Sequence, residues 1–172
     1  MQPDRQAAIA VIVQSGRFLV IERSQQVRAP GKLCFPGGEV EDGEHVAEAV
    51  IRELDEEMKL AIQPVRQIWK SVAPSGCVLH WIHARIIGEC TPVPNSREVA
   101  AWFWMTPEAL AKHPKTLSSN VGFIQASNSV GLSPTMGHRM HQMQILLRGR
   151  ELRHILSGTR RVLFRPAMQS AL

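Results

Sequence analysis

The sequence predicts a mixed α/β domain with a layered sheet core, and three observations carry that prediction. Residues 6–13, QAAIAVIV, form an apolar run short enough for a buried strand. Gln14-Ser15-Gly16 then signals a turn, and 17–23, RFLVIER, reads as the returning arm of a hairpin. A helical period begins at Gly43 or Glu44 and runs to about Lys59, with Pro64 at the distance of a helix stop. Three further strand candidates follow, at 65–72, 77–88 and 98–105, and TPEALAKH at 106–113 reads as a short second helix. Thr106 is its N-cap and Pro107 its first helical residue. Strands interleaved with helices bury their apolar faces as layers around one core.

The connections are punctuated by turn formers. SQQVRAPGKLCFPGG, residues 24–38, is too rich in Pro and Gly for regular structure, Pro74-Ser75-Gly76 makes a tight turn, and TPVPNS at 91–96 separates two strands. The expected organisation is a domain over 1–117, a weakly patterned Ser/Asn/Gly-rich connection over 118–137, and a basic C-terminal extension over 138–172. That extension holds seven arginines against Glu151 alone, a charge of +6 out of the chain's total of +5, so the rest is nearly neutral. Nucleic acid is therefore a candidate partner only through the tail. No apolar run approaches the roughly 18–20 residues that span a bilayer, and the N-terminal stretch lacks the pattern of a secretory signal. Cys34, Cys77 and Cys90 are odd in number and far apart, which argues against a disulfide framework or a zinc site and suits a cytoplasmic protein. The oligomeric state is left open, a homodimer included.

The chemistry concentrates in one stretch. Residues 37–60, GGEVEDGEHVAEAVIRELDEEMKL, contain nine of the fifteen acidic residues. On a helical wheel Ala47, Val50, Ile51, Leu54 and Met58 make the expected core face, while Glu53, Glu56 and Glu57 share a neighbouring arc. Val46 and Ala49 continue that acidic side, and Glu48, Arg52 and Asp55 face outward. Carboxylates at i, i+3 and i+4 lie within reach of one another and repel unless a cation sits among them. Magnesium suits such a set, because it takes few protein carboxylates and completes its shell with water and phosphate. A solvated acidic face is the alternative, and the loop before the helix weighs against it. Gly37 and Gly38 let backbone approach a ligand closely beside the glutamates.

Gly38, five residues, Glu44, seven residues, then Arg52-Glu53-Leu54-Asp55-Glu56-Glu57 and Leu60 resembles the Nudix box, G-x5-E-x7-R-E-U-x-E-E-x-G-U with U aliphatic. The resemblance covers about residues 6–113. It implies an α/β/α sandwich around a mixed β-sheet. The implied activity is a Mg²⁺- or Mn²⁺-dependent hydrolase of a nucleoside diphosphate linked to another moiety. By position it implies Glu53, Glu56, Glu57 and the Gly37 carbonyl as metal ligands, with Glu44 and Arg52 bracing the loop and helix. Glu53 is the first choice for the base that activates water; Glu98, just before the strand VAAWFW, is the second. The sequence departs from the box at Lys59, where glycine is expected. A left-handed helix C-cap explains that glycine, and a lysine there costs stability rather than chemistry.

Substrate clues lie outside the box. Arg23, Arg28 and Lys32 flank the FPGG loop and are candidates, with Gly38, for holding phosphate oxygens. Arg23-Ser24-x3-Arg28 before FPGG resembles the coenzyme A diphosphatase signature, with a gap one residue short. Trp81, Trp102, Phe103 and Trp104 read as core rather than base platforms, and His80 and His83, three apart on a strand, point to opposite faces. Two other functions stay in view: a pyrophosphatase for damaged nucleoside triphosphates, and a Nudix-fold nucleotide- or RNA-binding module using the arginine-rich tail. All box glutamates are retained, which favours an enzyme.

Overall fold

The computed structural model describes residues 5–129, so the basic extension expected at 138–172 lies outside the described residues. In chain order the elements are β1 (Gln6–Gln14), β2 (Arg17–Arg23), β3 (Leu33–Cys34), β4 (Gly37–Glu39), α1 (Val46–Met58), β5 (Ile62–Val72), β6 (Val78–Ile86), β7 (Val99–Met105), α2 (Pro107–Lys112) and α3 (Ser118–Ser129). β1 is the centre of the sheet. Along one edge it pairs in parallel with β6, from Gln6↔Val78 to Ile12↔Ala84, and β6 carries β5 antiparallel. On its other edge β1 pairs antiparallel with β2 at its end and with β4 at its start. β2 in turn pairs antiparallel with β3 and β7.

Alternation along the strands sends side chains to two cores. Ala8, Ala10 and Ile12 of β1 join Leu19, Ile21, Ile82 and the α1 residues Val50, Leu54 and Met58 on one face. Val11, Phe18, Val20 and Trp81 join Leu110 of α2 and Phe123 and Ile124 of α3 on the other. Helices therefore cover both faces of a mixed sheet, the sandwich the resemblance implied. Each fully buried Leu, Met or Val of α1 contributes about 1.5–3 kcal/mol.

The expected strands and the first two helices are present with shifted ends, and three features differ. Short strands β3 and β4 interrupt the loop read as irregular, because β1 and β2 diverge and offer free backbone groups to Gly37–Glu39 and Leu33–Cys34. The buried face of α1 is rotated toward Ala49 and Glu57, while Ala47 is exposed and Ile51 is 42% exposed. The close-packed strand β4 draws that side inward. Arg52, expected to face outward, is pulled into a hydrogen-bonded network described below.

The third difference is α3, in the stretch read as a weakly patterned connection. Ser, Asn and Gly are poor helix formers, so packing sets this helix. Phe123 stacks on Trp81 with ring centroids 4.5 Å apart and meets Phe35 edge-on at 5.5 Å. Upstream, the Leu117 N–H donates to the Leu33 carbonyl at 3.0 Å and anchors the start of the helix.

Of the aromatics read as core, Trp81 is fully buried and Trp102 and Trp104 pack against the first core, whereas Phe103 points to the other face of β7 and is exposed. His80 is buried between Gln67 and Gln6, with ring-nitrogen contacts of 2.9 and 2.8 Å. At the end of α1, Lys59 takes the left-handed conformation (φ 49°, ψ 40°). Its N–H reaches Asp55 O and the Leu60 N–H reaches Leu54 O, closing the helix as a glycine would. Replacing Lys59 by Gly should raise stability by about 1 kcal/mol in chemical denaturation, by relieving the Cβ strain. Phe123→Ala should cost about 3–5 kcal/mol in the same measurement; a cost below about 1 kcal/mol would mean α3 is not part of this core.

Candidate active site

Two glycines bring the loop onto the helix. Gly37 has φ +132°, and a Cβ there would collide with the Ala8 carbonyl, so only glycine lets β4 lie this close to β1. A Cβ on Gly38 would meet the Glu53 carboxylate. This close approach lets the Gly37 N–H donate to Glu57 Oε2 at 2.9 Å.

Arg52 ties the acidic residues together. Its Nε donates to Glu44 Oε1 at 2.9 Å and its Nη2 to Glu44 Oε2 at 3.0 Å, a two-pronged pair. Nη2 also donates to the Glu39 carbonyl at 2.9 Å, while Nη1 donates to Glu53 at 2.9 Å and to Glu56 at 3.3 Å. Glu44 in turn accepts the Glu41 N–H at 3.0 Å. One guanidinium thus fixes β4, the loop before α1 and two glutamates of the helix. The Arg52 bonds hold Glu44 below the usual carboxylate range.

Carboxylate oxygens of Glu53, Glu57 and Glu98 lie within 4.8 Å of one another. Glu57 is buried, and burial pushes its carboxyl up to about 8, the Gly37 N–H and Arg23 opposing the shift. Glu53 is also raised, first by burial, against the Arg52 hydrogen bond. Three carboxylates crowded in a poorly solvated site are a donor set suited to a hard divalent cation. Glu56 stands at the exposed side of Arg52, outside this closest trio but near enough to raise Glu53.

Of the other candidates, Arg23 lies close enough to Glu57 to oppose its shift. The loop from Arg23 to Lys32 is closed by the Arg23 Nε donating to the Arg28 carbonyl at 2.7 Å and the Arg23 N–H to the Lys32 carbonyl at 2.9 Å. Arg23 is half-buried beside the buried thiol of Cys34; Lys32 is half-buried and Arg28 exposed. Two residues with no chemical signature of their own also prove important. Ser24 and Asn95 hold the segment that carries Glu98. Only the Asn-Ser pair in the turn-like TPVPNS hinted at this, as a side chain able to bond backbone two residues on.

Comparison with known proteins identifies the family. Residues 3–126 match the NUDIX domain family model, and the chain belongs to that family. It is a Nudix hydrolase. A CTP pyrophosphohydrolase of Escherichia coli (strain K12) is 30% identical over 108 residues, covering 61% of this chain and 78% of that protein. A NAD-capped RNA hydrolase of Stutzerimonas stutzeri (strain A1501) is 34% identical over 103 residues, covering 59% of this chain but only 37% of that protein. A m7GpppN-mRNA hydrolase of Xenopus laevis is 32% identical over 126 residues, covering 61% of this chain and 42% of that protein.

In fold, a MutT protein from Methanosarcina mazei Go1 aligns with a TM-score of 0.64 at 21% identity, over 73% of this chain and 94% of that one. A MutT NUDIX hydrolase from Burkholderia pseudomallei aligns at 0.59 and 23%, over 72% and 98%. No helix among the described residues is long and apolar enough to cross a membrane.

The raised Glu57 gives a pH-dependent signature. In the cation-free protein this carboxyl binds a proton in the folded state up to about pH 8, whereas the unfolded chain releases it above about 4.5. Folding therefore takes up a proton between those values, and the Glu57 contribution to stability falls as pH rises through that window. Melting curves of the metal-free protein should show this decline, and Glu57→Gln should reduce it. Mg²⁺ or Mn²⁺ at a hundredfold excess over Kd should add about 2.7 kcal/mol. A Glu57→Gln variant that responds to both pH and cation as the parent does would contradict this account.

Proposed function

We propose that the chain hydrolyses the pyrophosphate bond of a nucleoside diphosphate linked to another moiety, with Mg²⁺ or Mn²⁺ at the acidic cluster. The convergence of Glu53, Glu57 and Glu98 within 4.8 Å is the observation that carries this reading. Glu53, Glu57 and Glu98 would hold the cation together with Glu56 and the Gly37 carbonyl. When bound, it neutralises phosphate oxygens and lowers the pKa of water.

The chain's own part is to orient and to move a proton. Arg52 and Glu44 hold the loop and the helix in fixed register, so the carboxylates need little rearrangement to meet substrate. Glu53 is the proposed base: burial raises its carboxyl above the usual carboxylate range, which makes it a stronger proton acceptor. Glu98, whose carboxylate lies in the same cluster, is the second candidate for that role. Arg23, Arg28 and Lys32 supply positive charge near the FPGG loop for the substrate's phosphates, with the Gly38 backbone beside them.

A second reading is favoured by the CTP pyrophosphohydrolase relative, of which this chain spans 78%. It is cleavage of a nucleoside triphosphate to the monophosphate and pyrophosphate, at the same cluster. We place either activity in the cytoplasm, in keeping with the free thiols of Cys34, Cys77 and Cys90.

The test is a screen of the purified chain with Mg²⁺ against CTP, oxidised nucleoside triphosphates, ADP-ribose, coenzyme A, NADH and sugar nucleotides. Turnover of one class should fall by about 10²–10⁴-fold in Glu53→Gln and should also collapse in Glu57→Gln. Nucleotide binding without turnover of any of them would favour a binding module instead.

A further inference from the structure

The connection between β6 and β7 is bonded at both ends to the active site. At one end the Val93 N–H donates to the Met58 carbonyl and the Asn95 N–H to the Glu57 carbonyl, each at 2.8 Å. These are two of the last α1 carbonyls, which have no partner inside the helix. At the other end the Ser24 N–H donates to the Glu98 carbonyl at 2.8 Å, and the buried Ser24 hydroxyl donates to the Arg97 carbonyl. Residues 93–98 thus bridge the C-terminus of α1 and the end of β2.

Asn95 occupies the middle of that bridge. Its carbonyl accepts the Glu98 N–H at 2.9 Å and the Val99 N–H at 2.8 Å. Its side-chain Oδ1 accepts the Arg97 N–H at 3.2 Å, and its Nδ2 donates to Glu98 Oε1 at 3.1 Å. The last of these bonds is different in kind, because it holds a carboxylate rather than backbone. Glu98 faces Glu53 and Glu57, and like charge drives a flexible glutamate side chain away from them. A hydrogen bond from a neutral amide to a charged carboxylate is strong enough to resist that drift.

We propose that Asn95 is a positioning residue that holds the Glu98 carboxylate in the cluster with Glu53 and Glu57. The same residue bonds the Glu57 carbonyl, so it sets the spacing between the two acids it serves. This role rests on the reading of Glu98 as an active-site residue. A serine at position 95 retains an oxygen for the Arg97 N–H, and so the turn, but carries no amide to reach Glu98.

A double-mutant cycle on the full chain separates positioning from folding, with Asn95→Ser, Glu98→Gln and the pair compared with the parent. Mn²⁺ affinity by titration calorimetry, kcat and KM with CTP, and melting temperature are the readouts. Asn95→Ser should weaken Mn²⁺ binding and lower kcat by about 10–100-fold, with KM and melting temperature little changed. In the Glu98→Gln background it should have no further effect on Mn²⁺ affinity. An equal loss in both backgrounds, or a lowered melting temperature with Mn²⁺ affinity intact, would reduce Asn95 to a turn former and overturn the inference. If Glu98→Gln weakens Mn²⁺ binding while Asn95→Ser is silent, positioning by Asn95 fails and Glu98 stands. If Glu98→Gln itself leaves Mn²⁺ affinity and kcat unchanged, the reading of Glu98 fails and takes this inference with it. Mn²⁺ affinity decides among these outcomes even if CTP is not turned over.

Discussion

Negative charge held away from water is the constraint around which the site is built. Glu57 is buried and Glu53 partly so, and each raises the energy of the other. An isolated pair of this kind would protonate or swing outward. Here the surrounding chain opposes the outward swing, and the proton that burial favours on Glu57 is one that a cation displaces. The Gly37 N–H is aimed at one carboxylate and Arg52 at the other, and the sheet closes the space behind them. The arrangement resists collapse through its framework and leaves the charge to be balanced by a ligand.

That framework comes from separate parts of the chain, each doing a fold task before a chemical one. β4 completes an edge of β1, and its glycines thereby put backbone against α1. Arg52 satisfies the Glu39 carbonyl while spacing Glu44, Glu53 and Glu56. The 93–98 segment satisfies carbonyls at the end of α1 and delivers Glu98 at the same time. Positioning and stability share the same hydrogen bonds, so precision at the cluster carries little separate cost.

Much of this was legible in the sequence, and the reasons differ by element. β1, β2 and α1 announce themselves by period, and the fixed spacing from Gly38 to Leu60 points to the loop–helix unit and to its family. Lys59 was legible as a left-handed cap because the box marks that place with glycine. The rotation of α1 was not, since a hydropathy wheel assigns Glu57 to water and cannot foresee a backbone N–H waiting for it. α3 escaped for the opposite reason: its helix comes from Phe123 and Ile124 docking on distant aromatics, not from its own propensity. Asn95 read only as a turn residue and Ser24 only as part of a loop, because what they hold lies across the fold from them.

The place of β1 in the sheet also bears on how the chain acquires its structure. The first strand in sequence is the central one, and its parallel partner is β6, with Gln6 opposite Val78. During synthesis the hairpin of β1 and β2 can form early, but the other edge of β1 stays unsatisfied until β6 has emerged. Contacts so distant in sequence must be closed at an entropic loss before they give anything back, which slows folding. For that interval an apolar strand presents open hydrogen-bonding groups to any neighbour, and aggregation competes with completion of the sheet.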